Sequence, residues 1–274
     1  MKLLILLLLT LSSAWAKPMV LISYYDAFNQ APFNNSEKVA KALAAQFGLE
    51  TSEVDVRLCL LNTIYEKSYA QTEECLKALP QKPVMVLGLG ESTCDLKFET
   101  VVRNTDHTYG PDNAGNSRNN AVIIPQAPLF RGLRYPLPQM YCALTQAEKN
   151  SILLSNDAGT FVCNNTAFQL SHYYPEIQYG FVHVPAHNCR NLDRRTQASV
   201  AVLSKMIKQG VSYLTGPTAD QGLPHTDNHL RLSTKRAELQ ALRNSYASGN
   251  QCLGQYLRTV KAVDERRSFF GFQD

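Results

Sequence analysis

SILLSNDAGTFVCNNTAFQLS, residues 151–171, has the pattern of a buried strand followed by a turn and a helix. The apolar run Ile152–Leu154 predicts the strand, Gly159 the turn, and the residues from Cys163 onward the start of the helix. The first turn of a helix combines unpaired backbone N–H groups with the positive end of the macrodipole, and both favour a thiolate. Cys163 is therefore a candidate nucleophile, although a lone cysteine is more often a buried structural residue.

Other apolar runs of strand length alternate with helical segments along the chain. Met19–Ser23, Val84–Leu89 and Tyr179–Val184 have the composition of strands buried on both faces. Ser36–Phe47, with Ser36 as its predicted N-cap, and Gln197–Gln209 have helical periodicity. This alternation predicts an α/β fold in which helices cover both sides of a mostly parallel sheet.

Two segments in the middle of the chain are less regular. Ala121–Pro125 has the composition of a short strand. Pro128–Tyr141 contains three prolines, which predict an irregular excursion.

The two ends of the chain differ in composition from its centre. Residues 1–16, MKLLILLLLTLSSAWA, resemble a secretory signal peptide cut after Ala16. We expect a secreted or periplasmic protein with no membrane segment after cleavage. Residues 17–216 are predicted to form one domain. Residues 217–274 are predicted to form a polar linker plus a helix, Ser233–Tyr246, that packs on it.

The charge pattern excludes one class of partner. The formal net charge is +4, only 18% of residues are charged, and the two signs are mixed along the chain. A nucleic-acid-binding domain needs a basic patch or stripe, so we predict no nucleic-acid partner. The charge pattern does not indicate which oligomeric state the protein adopts.

The cysteine count is odd, which leaves at least one thiol without an intramolecular partner. An oxidising compartment favours disulfides among the seven. Cys59 and Cys75 lie close along the chain and form one predicted pair. Cys163 is the predicted free thiol, because a nucleophile must stay reduced. Pairing among the others stays open: Cys94, Cys142, Cys189 and Cys252.

A histidine can accompany the candidate nucleophile. Cys163 and His183 follow successive predicted strands, and ligands of such sheets bind beyond the carboxyl ends of the strands. A cysteine nucleophile needs an imidazole that takes its proton and a third group that orients the ring. Cys163 and His183 therefore form a candidate dyad, but the pattern alone does not select the third group among 23 acidic residues.

Several short segments resemble those of one peptidase family in the same order along the chain. They are VLISYYDAFNQAPFNNSEKVAKAL (20–43), FETVVRN (98–104), PDNAGN (111–116), AGTFVCN (158–164) and FVHVP (181–185). The sequence resembles the pyrrolidone carboxyl peptidases, the pyroglutamyl peptidase I family of cysteine exopeptidases, over about residues 19–210.

The resemblance implies a catalytic mechanism. It assigns Cys163 as the nucleophile, His183 as the general base and then acid, and Glu99 as the orienting carboxylate. It implies a three-layer α/β/α sandwich without a metal or organic cofactor, and a peptide as substrate. The implied reaction is hydrolysis of the amide after an N-terminal pyroglutamyl residue through a thioester.

The resemblance also implies substrate contacts. Phe28 and Phe161 correspond to aromatic residues that flank the lactam ring, and Tyr25 replaces a phenylalanine. Leu89 replaces a glutamine, and Val162 adjoins the nucleophile. These departures, with Asn29-Gln30 in place of a glycine-rich turn, leave two alternatives: another acyl-amide specificity with the same triad, or a peptide-binding module without hydrolysis.

Two histidine patterns resemble metal sites. His183 and His187 have the i, i+4 spacing of a helical pair, but Pro185 lies between them. His225, Asp227 and His229 fall in a polar segment without cysteine or glutamate ligands nearby. We predict no metal site at either place.

Overall fold

The computed structural model describes residues 16–49, 52–108 and 110–217, together with Cys252 and Tyr256. These residues form eight strands and six helices. The strands are β1 Met19–Tyr25, β2 Asp55–Leu61, β3 Met85–Glu91, β4 Leu96–Glu99, β5 Val101–Arg103, β6 Phe130–Gly132, β7 Ile152–Ser155 and β8 Tyr179–Val184. The helices are α1 Asn35–Phe47, α2 Tyr65–Ala78, α3 Leu137–Cys142, α4 Gln146–Lys149, α5 Val162–Tyr173 and α6 Leu192–Thr215.

The main sheet contains six of the described strands in the order β2-β1-β3-β8-β4-β7. Neighbouring strands are parallel except β4 and β8, which run antiparallel. Strands β1 and β8 are buried along their whole length, and β3 is buried except at Glu91. Continuous burial explains why these strands read as unbroken apolar runs.

Helices cover the sheet in two layers, with α1 against α6 and α2 against α5. The prediction of a three-layer α/β/α fold with a mostly parallel sheet is confirmed. The predicted N-cap of α1 is wrong by two residues, because the Asn34 side chain accepts the N–H of Ser36 at 3.0 Å. Ser36 lies buried within the first turn and accepts the backbone N–H of Tyr25 at 3.2 Å.

The irregular middle of the chain differs from the prediction. Ala121–Pro125 is not a strand, since only Ala121 pairs, in an isolated bridge with Asp106. The buried Asn104 side chain instead holds this segment as a loop, because it bonds the backbone of Ile124 and the carbonyl of Ala127. The excursion over 128–141 is also more regular than predicted, because it contains β6 and most of α3.

Three disulfides cross-link the described residues: Cys59–Cys75, Cys94–Cys189 and Cys142–Cys252. The predicted Cys59–Cys75 pair is confirmed, and Cys163 is the cysteine left free. The third disulfide fixes a point of the C-terminal extension to the domain, where Tyr256 packs on Tyr141 with ring centroids 5.6 Å apart.

Within the described ranges, no helix has both the length and the apolar character needed to cross a bilayer. The predicted signal peptide, except Ala16, and the predicted helix Ser233–Tyr246 lie outside the described residues. So do His225, Asp227 and His229.

Candidate active site

Cys163 is the second residue of α5 and follows directly from the turn after β7. Gly159 has a φ of +76°, which favours glycine, and its N–H bonds the Asp157 side chain at 3.0 Å. The chain therefore reverses sharply before Phe161, the N-cap of α5. The thiol consequently lies in the first helical turn, where unpaired N–H groups can stabilise negative charge.

Glu99 and His183 form a buried pair on adjacent antiparallel strands. The register places Glu99 of β4 opposite Phe181 and Lys97 opposite His183 of β8. The distance from His183 Nδ1 to Glu99 Oε1 is 2.8 Å, and the two side chains are 8% and 0% exposed. Because the carboxylate can only accept, it favours the tautomer with hydrogen on Nδ1, which leaves Nε2 able to accept a proton.

Tyr135 holds the strand beneath this pair. Its hydroxyl donates to the backbone carbonyl of Glu99 at 3.0 Å. The ring lies against Gly180, where an added Cβ would come within 2.5 Å of it. Sequence reasoning missed Tyr135, because nothing near it on the chain indicates a contact with Glu99.

Gly90 of β3 brings the thiol and the imidazole to one place. A Cβ added at Gly90 would lie 3.0 Å from Cys163 Sγ and 3.4 Å from His183 Cδ2. Gly90 is opposite His183 in the pairing of β3 with β8. The absence of a side chain at this position therefore makes room for both groups.

Burial raises the pKa of the Cys163 thiol to about 12. Its own backbone N–H lowers the pKa, whereas the charge of Glu91 raises it further. Tyr25, at the end of β1, has its hydroxyl close enough to hydrogen-bond the sulfur, which favours the thiolate. Because the raised pKa favours the thiol over the thiolate, the chemistry needs a base, and His183 is available beside it.

The predicted substrate contacts separate into two groups. Phe28 and Phe161 lie together with ring centroids 4.8 Å apart, and both are partly exposed. Leu89, Val162 and Tyr25 have buried side chains, with exposures of 0%, 0% and 2%. Leu89 also points to the sheet face opposite Gly90, since successive strand residues alternate. Substrate contact through the Leu89 side chain is therefore not available in this arrangement.

Tyr65 adds a further aromatic ring that sequence reasoning missed. It packs edge-on against Phe161 with centroids 5.5 Å apart, and its N–H bonds the Asp112 carboxylate at 3.1 Å. Asp112 belongs to the PDNAGN loop, whose Asn113 bonds the backbone carbonyl of Ala27 at 2.8 Å. The loop thus supports the aromatic cluster from the side of α2.

His187 is paired in a way that the sequence does not indicate. Its Nδ1 lies 2.6 Å from Glu91 Oε1, so the chain has a second carboxylate–imidazole pair near the first. His183 and His187 each face a glutamate, and among the described residues no group of three or more His, Cys, Asp and Glu side chains could hold a metal ion.

We expect Gly90→Ala to lower turnover by at least about tenfold, because the new methyl group would press on Cys163 and on the Phe181 ring 2.9 Å away. Steady-state kinetics checks this, with circular dichroism to confirm folding. Gly110→Ala is the matched control, since nothing lies within 4 Å of its added Cβ. Equal kinetics for the two variants would contradict the described packing.

Asp106 accepts a hydrogen bond from the Asn165 side chain of α5 at 2.6 Å. We expect its carboxyl group to make the stability of the folded protein depend on pH. Burial raises its pKa from 3.8 to about 7, although the bond from Asn165 lowers it. The folded state holds this proton more tightly than the unfolded state. Stability from this group is therefore complete below about pH 4 and is lost as the pH rises towards about 7.

We expect Asp106→Asn to be more stable than the wild type above neutral pH, on the order of 1–3 kcal/mol, with the gain vanishing in acid. Urea unfolding at several pH values measures it. Asp112→Asn is a control for which we expect the opposite effect on stability. Hydrogen bonds from Asn116, Tyr65 and Ala114 outweigh burial and lower the Asp112 pKa, so this substitution should destabilise at neutral pH. A wild type at least as stable as Asp106→Asn above neutral pH would refute the assignment.

Residues 18–213 match the model of the pyroglutamyl peptidase family. The chain is 29% identical to the pyrrolidone-carboxylate peptidase of Staphylococcus carnosus over 192 residues, which cover 68% of this chain and 86% of that protein. It is 26% identical to the Bacillus cereus (strain Q1) protein of that name over 207 residues, covering 73% and 94% of the two chains.

Solved structures show the same fold. A mutant pyrrolidone carboxyl peptidase from Pyrococcus furiosus superposes with a TM-score of 0.60 at 21% identity, covering 72% of this chain and 99% of that one. Pyroglutamyl peptidase I from Bacillus amyloliquefaciens gives a TM-score of 0.57 at 23% identity, covering 69% and 97%. With the family match over most of the folded domain, these findings establish that the chain belongs to the pyroglutamyl peptidase family of cysteine peptidases.

Proposed function

We propose that the protein removes N-terminal pyroglutamyl residues from peptides through a thioester on Cys163. The observation that carries this proposal is the buried Glu99–His183 pair, which lies beside the same glycine as the free thiol. A free thiol, a nearby imidazole that can take its proton and a carboxylate behind the ring are the parts that acyl transfer by cysteine requires.

The reaction follows from these roles. His183 Nε2 takes the thiol proton as Cys163 Sγ attacks the amide carbon. His183 then gives the proton to the leaving nitrogen, the C–N bond breaks, and a thioester and a free peptide amine result. His183 then takes a proton from water, and the water oxygen attacks the thioester carbon. The C–S bond breaks, His183 gives that same proton to the sulfur, and free pyroglutamic acid leaves. Glu99 keeps the imidazole oriented and stabilises its charged form.

Substrate selection is assigned to the aromatic cluster of Phe28, Phe161 and Tyr65. A pyroglutamyl lactam is compact and uncharged, so a slot with aromatic walls and few polar groups suits it. Phe28 belongs to a surface loop, and the next residues, Asn29 and Gln30, both have positive φ. We assign to this loop the movement that admits the ring between Phe28 and Phe161.

One observation favours a second acyl specificity. The ring centroids of Phe28 and Phe161 are 4.8 Å apart, so the two rings already pack against each other. No space remains for a lactam between them unless one ring moves. A different small acyl group bound beside the pair is the alternative. The same triad would act on it.

A panel of fluorogenic amides tests the assignment. We expect the purified mature protein to hydrolyse the pyroglutamyl amide at least about 100-fold faster, in kcat/KM, than prolyl, alanyl or acetyl amides. Preference for another acyl group would support the second specificity. No turnover of any amide, with Cys163 reduced, would contradict both.

We also propose that the protein is exported and begins at Lys17 after cleavage. Its three disulfides support this, since such bonds form and persist in oxidising compartments. N-terminal sequencing of protein recovered from expressing cells should give Lys17 as the first residue. A chain that retains residues 1–16 and is found in the cytosol would overturn the proposal.

A further inference from the structure

Glu91 joins three segments of the chain at the edge of the sheet. It is the last residue of β3 and follows Gly90. Glu91 Oε2 accepts the N–H of Asn35 at 2.7 Å and that of His187 at 3.1 Å. Glu91 Oε1 lies 2.6 Å from His187 Nδ1. One carboxylate therefore caps the start of α1 and holds the loop after β8.

Further contacts tie the same segments together. The Asn35 side chain donates to the carbonyl of Pro185 at 2.7 Å within the buried interior. The Ala186 N–H bonds the carbonyl of Thr93 at 2.9 Å, and the Cys94–Cys189 disulfide joins the same two loops covalently. The loop after β3 is thus bound to the loop after β8 through both hydrogen bonds and a covalent link.

These ties surround the reacting groups. Cys94 precedes β4, which carries Glu99, and Cys189 follows β8, which carries His183. Gly90, which contacts Cys163, is the neighbour of Glu91. A shift of either loop would move the strand ends that set the distance between the thiol and the imidazole.

The negative charge of Glu91 disfavours the thiolate that the reaction needs. This indicates that Glu91 acts by positioning other groups. Its carboxylate raises the pKa of Cys163, as Glu99 also does, whereas the Tyr25 hydroxyl lowers it. The other groups in electrostatic contact with the sulfur are Tyr65 and Tyr179, and His183 lies across Gly90. A neutral residue at position 91 would make the thiolate of Cys163 easier to form. The carboxylate of Glu91 therefore lowers the reactivity of the thiol, while it makes three hydrogen bonds to neighbouring segments.

We propose that Glu91 is a positioning residue and that, with His187 and the Cys94–Cys189 disulfide, it forms a brace that fixes the sheet edge where Cys163 and His183 meet. The part of this inference that concerns turnover rests on the proposed hydrolysis of pyroglutamyl amides. The part that concerns the thiol does not, because alkylation of Cys163 needs no substrate.

Glu91→Gln separates position from charge. We expect iodoacetamide to alkylate Cys163 several-fold faster than in the wild type, with the pH profile displaced to lower pH, because a negative charge that raises the pKa of the thiol is gone. We expect kcat on the pyroglutamyl amide to fall about tenfold with KM nearly unchanged, because the His187 bond is weakened. Faster alkylation with slower turnover is the signature of the brace.

Glu148→Gln is the matched control, since Glu148 also accepts a backbone N–H at a helix start, from Thr145 at 2.8 Å. It should match the wild type in alkylation and turnover. If Glu91→Gln raised both the turnover and the alkylation rate, the only effect of Glu91 would be to lower the reactivity of the thiol. Turnover of Glu91→Gln equal to that of the wild type would show that the carboxylate does not position the reacting groups. Either result overturns the proposal.

The disulfide is tested by a second pair of variants. Cys94→Ser with Cys189→Ser should lower kcat about tenfold and expose Cys163 to several-fold faster alkylation at fixed pH. Cys59→Ser with Cys75→Ser removes a disulfide between β2 and α2 and should leave both quantities unchanged. Equal behaviour of the two variants would refute the brace. If the wild type hydrolyses no pyroglutamyl amide, the alkylation rates of the two disulfide variants still test the brace.

Discussion

Cys163→Ala should lower hydrolysis of a pyroglutamyl amide by on the order of 10⁴-fold or more, because the substitution removes the sulfur that forms the acyl-enzyme. Cys163 is the free cysteine of the described structure, so the substitution breaks no disulfide. The thermal unfolding midpoint should therefore stay within a few degrees of the wild type, by differential scanning fluorimetry. Activity within about tenfold of the wild type would remove Cys163 from the mechanism.

Glu99→Gln should lower kcat by on the order of 10³-fold. The distance of 2.8 Å between Glu99 and His183 Nδ1 keeps the proton on Nδ1, whereas an amide can present an N–H there and favour the tautomer that cannot accept from the thiol. Steady-state kinetics across the pH range measures this. Glu73→Gln, which alters a carboxylate bonded to Tyr69 and Tyr174 away from the site, should match the wild type. A loss below about tenfold in Glu99→Gln would show that the carboxylate does not orient the imidazole.

Local patterns in the sequence were enough to predict the layered fold. The strands β1, β3 and β8 are buried on both faces and read as apolar runs, and the turn at Gly159 with the helix after it is as predicted. The odd cysteine count required at least one free thiol, and the need of a nucleophile to stay reduced selected Cys163. The strand, turn and helix patterns depend on residues near each other in the chain, which is where pattern reasoning works.

The failures have long-range causes. Ala121–Pro125 has strand composition, but the side chain of Asn104, 20 residues before Ile124, bonds both the N–H and the carbonyl of Ile124. Leu89 corresponds to a substrate-contacting position in the resemblance, but its side chain is buried in the core, while Gly90 faces Cys163. The packing of distant segments on the sheet decides which face of β3 lies against Cys163.

The site itself was predictable in part. His183 was found from its place at the end of a predicted strand, but Glu99 was selected only by the family resemblance, because one acidic residue among many carries no local signal. The Glu91–His187 pair and the Cys94–Cys189 disulfide join residues more than 90 positions apart. Each becomes visible only when β3 and β8 lie side by side in the sheet.

The most direct test is rapid-quench mass spectrometry of the wild-type protein mixed with a pyroglutamyl peptide. We predict a transient species heavier by one pyroglutamyl group, with the added mass on the peptide that contains Cys163 and removed by hydroxylamine, as a thioester requires. Cys163→Ala should show none of it. Full turnover with the acyl group on another residue, or full turnover by Cys163→Ala, would contradict the assignment of Cys163 as the nucleophile.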